Sequence, residues 1–186
     1  MKFILASGSP RRSEILKEYG YDFEVIVPSV DESMDENKTP HQNVMEVSYR
    51  KASKVFEEHQ DRFVIACDTV VALDNIIYGK PHSKEMAYNM MKTFSGKAHE
   101  VISGVSILGP NYKKSFYVSS KVIFKELTDE MINEYIATDE PYDKAGGYAI
   151  QGLGRKLISG YLGSLYNIIG LPIEELKKYL DEIIGE

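Results

Sequence analysis

The period of the apolar positions changes several times along the chain. Phe3 to Ala6 (FILA) is an unbroken apolar run that predicts a buried strand. A helix over Pro10 to Tyr19 and a short strand over Phe23 to Val27 follow it. Pro28 to Pro40 is polar and acidic, with Asp31, Glu32, Asp35 and Glu36, and predicts a loop. Gln42 to Glu58 has helical spacing, with Val44, Val47, Ala52 and Val55 available for one inward face. Arg62 to Leu73 (RFVIACDTVVAL) reads as a long central strand, and Asp74-Asn75 turns it into a hairpin with Ile76 to Tyr78.

The second half keeps this alternation of elements. Lys84 to Phe94 is a helix with Ser83 as its N-cap, and Glu100 to Leu108 and Ser115 to Phe124 are antiparallel strands across Gly109-Pro110-Asn111. Thr128 caps a helix to about Thr138, supported by Asp129 and Glu130 at the positive end of its dipole, and Pro172 opens a last helix to about Ile184. Between these two helices lie half of the 14 glycines. Strands and helices so mixed predict an α/β, or mixed α+β, fold around a mixed sheet. No repeat, low-complexity tract or linker interrupts the chain, so residues 1–186 are expected to form one domain.

Composition narrows the classes of function. The 186 residues are 43% hydrophobic and 27% charged, the balance of a globular protein with a real core. A net charge of −6 argues against a general nucleic-acid binder, although a local basic cluster would still select a small anion. Phe3 to Ala6 is too short for a signal-peptide core and no apolar run reaches membrane-spanning length, so a cytoplasmic protein without a membrane partner is expected. Cys67 is the one cysteine, which removes internal disulfides and cysteine metal cages and reads as a small buried strand residue. A cysteine phosphatase would want an arginine shortly afterwards, and Asp68 to Leu73 supplies none.

Three stretches could carry chemistry. In Ser7-Gly8-Ser9-Pro10-Arg11-Arg12, Ser9 suits an N-cap and Pro10 suits N1, so Arg11 and Arg12 fall in the first helical turn. The dipole disfavours cations there. Either the arginines are solvated on an ordinary helix, or an anion such as phosphate joins them. Asp68 places a carboxylate inside an otherwise apolar strand, which calls for a cation, a metal, a reactive role or backbone hydrogen bonds at a strand bend. A haloacid-dehalogenase phosphatase would want a second Asp two positions on, where Val70 stands. Lys80 lies in a rigid Gly79-Lys80-Pro81 turn. Gln151, in a glycine-rich loop that matches neither GxGxxG nor the Walker pattern, could read a base through its amide. His41, His59, His82 and His99 show no metal-ligand spacing.

Together LASGSPRR, CDTVV, GKP, FSGKAHEVISGV, DKAGGYAIQGLG and NIIGLP resemble the Maf family of nucleoside triphosphate pyrophosphatases, in the family's order and along nearly the whole chain. The resemblance implies an elongated two-lobed α/β fold with a twisted mixed sheet and a central cleft, similar to inosine triphosphate pyrophosphatases. It implies hydrolysis between the α- and β-phosphates to a nucleoside monophosphate and pyrophosphate, with Mg²⁺ or Mn²⁺. Asp68 would be the general base, with Glu32 as the alternative, and Glu32 and Asp68 would share the metal. Ser7, Arg11, Arg12, Lys51 and Lys80 would hold the triphosphate. Arg11, Thr69 and Gln151 fit the branch that prefers dTTP and UTP, modified pyrimidine nucleotides included; the 7-methyl-GTP branch places a tryptophan at Arg11 and an acidic residue at Gln151. The competing class is a nucleotide-binding regulator of septum formation without turnover, which could dispense with Asp68 and Glu32. The implied partner is a nucleoside triphosphate, with a homodimer left open.

Overall fold

A computed structural model of the protein describes residues 1–185. In chain order the elements are β1 (Phe3–Leu5), α1 (Pro10–Glu18), β2 (Phe23–Val25), α2 (Pro40–Phe56), β3 (Val64–Leu73), β4 (Ile76–Tyr78) and α3 (Lys84–Phe94). There follow β5 (Ala98–Gly109), β6 (Tyr112–Phe124), α4 (Asp129–Ile136), β7 (Ile158–Leu162), α5 (Leu165–Ile169) and α6 (Ile173–Gly185). The seven strands share one sheet in the order β2-β1-β3-β5-β6-β7, with β4 on β3. The sheet is mixed as expected: β1 runs parallel to β2 and β3, whereas β4 is antiparallel to β3 and β7 to β6.

The chain divides into two compact units. The first comprises residues 1–69, 103–118 and 170–185. Its core joins Ile4 and Ala6 to Val64 and Ala66 of β3, Ala52 and Val55 of α2, and Leu108, with Ile26, Tyr49 and Phe56 packed against them. Helix α2 approaches β5 so closely that a Cβ on Gly104 would collide with the Val44 backbone. A glycine inside a strand marks such an approach.

The second unit comprises residues 70–102 and 119–169. Its interior includes an aromatic cluster of Phe94, His99, Phe124 and Tyr148, with Phe94 and His99 stacked at 4.4 Å between centroids. Tyr88 and Lys92 of α3 both reach Asp129 at the start of α4, at 2.8 and 2.7 Å.

Side-chain caps mark the starts of α2, α3 and α4. Ser83 accepts a hydrogen bond from the Met86 amide and Thr128 one from the Met131 amide, as their residue types predict. Helix α2 begins two residues before the predicted start because Thr39 and Gln42 form a capping box that encloses Pro40 at the first helical position. Ser9 occupies the N-cap of α1, yet its side chain makes no capping hydrogen bond. The glycine-rich stretch contains more structure than its sequence announces: turns of 3₁₀ helix at Glu140–Asp143, Ala145–Gly147 and Leu153–Leu157, then β7 and α5.

Candidate active site

Strand alternation divides the chemistry of the first unit between two faces of β3. Successive side chains on a strand point to opposite sides. Asp68 therefore turns toward α2, where its Oδ1 accepts a hydrogen bond from the Lys51 ammonium at 2.9 Å. The same ammonium lies 3.0 Å from Glu32 Oε2, so one cation bridges two carboxylates. Lys51 and Asp68 are buried, whereas Glu32 comes from the acidic loop and is exposed. Burial of a lone carboxylate is unfavourable, and Lys51 compensates it. The second oxygen, Asp68 Oδ2, is buried with no hydrogen-bond partner.

Thr69, one position on, turns toward α1. The Arg12 guanidinium donates to Thr69 Oγ1 and to Ser7 Oγ, both at 3.2 Å, and its Nε donates to the Gly170 carbonyl at 2.9 Å. Ser103 shares a 2.8 Å hydrogen bond with Thr69 Oγ1. The Gly170 carbonyl also accepts from Thr69 Oγ1 at 3.3 Å and from the Cys67 thiol at 3.4 Å. Gly170 has φ of 132°, a conformation open to glycine and strained for other residues, and this aims its carbonyl into the cluster. Each terminal nitrogen of Arg12 keeps a second N–H for an anion. Arg11 beside it is half-buried, with no side-chain partner among the described residues.

Ser7, Arg12 and Thr69 thus come together, as do Glu32, Lys51 and Asp68. Ser103 and Gly170 complete the first cluster, and sequence reasoning missed both. Ser103 is one of two serines in a largely apolar strand, and Gly170 acts through its carbonyl. The lone thiol Cys67 is fully buried, and burial raises its pKa, which fits a packing residue rather than a nucleophile. In the second unit Lys80 is exposed, and the preceding Gly79 carbonyl accepts from the Gly146 amide at 3.1 Å. Gln151 is exposed at a turn where the Gly152 amide donates to the Ala149 carbonyl.

Among the described residues no three His, Cys, Asp or Glu side chains form a cation cage. A magnesium site that takes one or two carboxylates and completes its shell with phosphate oxygens and water does not need one. Asp68, with an unpartnered oxygen, and Glu32, exposed and facing the same ammonium, are hard oxygen donors of that kind.

The structure is similar to that of the Staphylococcus aureus Ham1 protein, with a TM-score of 0.57 over 98% of this chain and 99% of that one. At 14% identity this is a likeness of fold alone. Fold and site together define an α/β protein with a carboxylate–lysine cluster on one face of a central strand and an anchored arginine on the other. The chain belongs to the Maf-like protein family, whose pattern matches residues 2–183. A dTTP/UTP pyrophosphatase of Bacillus anthracis is 43% identical over 181 residues, covering 97% of this chain and 95% of that protein. Those of Caldicellulosiruptor bescii and Bacillus cytotoxicus are 43% and 44% identical, over 98% and 97% of this chain and 94% and 95% of theirs.

Proposed function

We propose that the protein is a nucleoside triphosphate pyrophosphatase acting on dTTP and UTP. The observation that carries this reading is Asp68, buried in β3 with one oxygen on Lys51 and the other unpartnered, in a chain whose relatives bear that name. Asp68 accepts a proton from water as the water oxygen bonds to the α-phosphorus and the α–β bridging P–O bond breaks. Glu32 is the alternative base. Pyrophosphate leaves with the bridging oxygen, and the monophosphate retains the new one.

Glu32 and Asp68 would hold Mg²⁺ or Mn²⁺, which when bound neutralises phosphate charge and polarises the reacting centre. Lys51 balances the carboxylates and lies ready to meet the triphosphate. Ser7, Arg11, Arg12 and Lys80 bind phosphate oxygens and offset the charge growing on the leaving group. The first-turn amides of α1, with no side-chain cap from Ser9, add donors of the same polarity. Thr69 holds Arg12 in place, while Arg11 and Gln151 select the pyrimidine. We place the activity in the cytoplasm, where nucleoside triphosphates are held.

The test is incubation with UTP, dTTP, CTP and GTP and either Mg²⁺ or Mn²⁺, with identification of the phosphate product. Pyrophosphate with UMP or dTMP is expected; orthophosphate overturns the cleavage position. Asp68→Asn should lower kcat roughly a hundred- to ten-thousand-fold with the thermal transition retained. Near-normal turnover would remove Asp68 from the chemistry.

A further inference from the structure

Outside the clusters already described, one carboxylate is committed in an unusual way. Glu140 opens the 3₁₀ turn that follows α4, and its two oxygens are spent on backbone rather than on a cation. Oε1 accepts the Leu153 amide at 2.7 Å and Oε2 accepts the Gly154 amide at 2.7 Å. The Tyr135 hydroxyl donates to the same Oε2 at 2.8 Å and lies 3.1 Å from the Gly147 carbonyl, so α4 itself fixes the carboxylate. The fit leaves no spare volume: a Cβ on Gly152 would overlap Glu140 Oε1.

These contacts surround one residue. On the N-terminal side of Gln151, Tyr148 and Ile150 are buried. On its C-terminal side, Gly152 lies against Glu140 and the next two amides are bound by it. Gln151 therefore sits at the exposed point of a turn held at both ends, with the C-terminal hold supplied by a side chain 11 residues earlier. Charge-assisted hydrogen bonds to backbone amides are among the stronger polar contacts, and two on one carboxylate fix direction as well as distance. An amide that must present donor and acceptor to a base edge depends on such fixing, because small misplacements weaken paired hydrogen bonds.

We infer that Glu140 is the positioning residue of the base-reading loop: it clamps Leu153 and Gly154 so that Gln151 presents its amide in one orientation. The inference rests on the reading of Gln151 as the base-selecting residue. It adds to that reading the group that makes the selection sharp. Glu140 itself touches no substrate.

The experiment compares Glu140→Gln, Gln151→Ala and the double variant, with kcat and KM for UTP and CTP and amide hydrogen exchange at Leu153 and Gly154. Glutamine keeps the shape of Glu140 but replaces one acceptor by a donor that meets an N–H head on. Glu140→Gln should raise KM for UTP roughly tenfold with kcat within about twofold, and lower the UTP/CTP preference by a similar factor. Exchange at Leu153 and Gly154 should quicken, and the double variant should be no worse than Gln151→Ala, because both changes remove one interaction. A fall in kcat at unchanged KM and preference, or a double variant whose losses multiply, overturns the inference. If Gln151→Ala leaves the UTP/CTP preference intact while exchange still responds to Glu140→Gln, the base-reading role of Gln151 fails and the inference falls with it. If exchange does not respond, the clamp itself is absent.

Discussion

His99 lies against Phe94, Phe124 and Tyr148 and shares a 2.6 Å hydrogen bond with the Tyr148 hydroxyl. Burial lowers its pKa from 6.5 to about 4, so the ring is neutral in the folded protein at physiological pH. The unfolded chain binds a proton at this histidine below its ordinary pKa, and the folded chain does so only near 4. The unfolded state therefore holds more protons across that window, and stability rises with pH through it. Acidification from 6.5 to 4 should cost on the order of 3 kcal/mol at this residue. His99→Phe should flatten that part of the stability–pH curve in urea titrations, at a cost of about 1 kcal/mol at neutral pH for the lost Tyr148 partner. An unchanged acid slope would mean that other groups carry it.

At the scale of elements, contacts between neighbours decide what substitutions do. Gly104→Ala drives a methyl group into the Val44 backbone of α2 and should destabilise the protein by about 1–3 kcal/mol, readable as a lower urea midpoint at unchanged slope. The same contrast between local and distant causes separates what the sequence discloses from what it hides. Helix α3 is legible to the residue because Ser83, its N-cap, lies beside it, and the β5–β6 hairpin because Pro110-Asn111 forms a turn on its own. Strand β7 is not legible: Ile158–Leu162 carries Gly160 and exposed Tyr161 and Leu162, and pairs with residues of β6 almost 40 positions earlier. The carboxylate cluster was readable in part, since a charged residue in the apolar run of β3 demands a partner. That the partner is Lys51 follows from the packing of α2 on β3. The grip on Arg12 was readable only in part: Ser7 and Thr69 stand out in the sequence, but the Gly170 carbonyl that holds its Nε does not, nor does Ser103, which holds Thr69 and in sequence resembles any small strand residue.

For the molecule as a whole, an acidic chain of net charge −6 accepts a polyanion only where cations are gathered. Bound nucleotide should then stabilise the fold by mass action. A UTP analogue with a non-hydrolysable α–β bridge and Mg²⁺, at a hundred times its Kd, should add about 2.7 kcal/mol. For a protein of this size that raises Tm by roughly 5–10 °C. The corresponding GTP analogue at equal concentration should raise it less, and equal shifts for both would argue against pyrimidine selection. The hold of Gly170 on Arg12 also orders events during synthesis. The carbonyl that accepts from its Nε is made 158 residues after Arg12 itself. Until then the Arg12 Nε lacks this acceptor, and only Ser7 and Thr69 are at hand for its terminal nitrogens. The full set of contacts on Arg12 is thus completed by one of the later residues to be made.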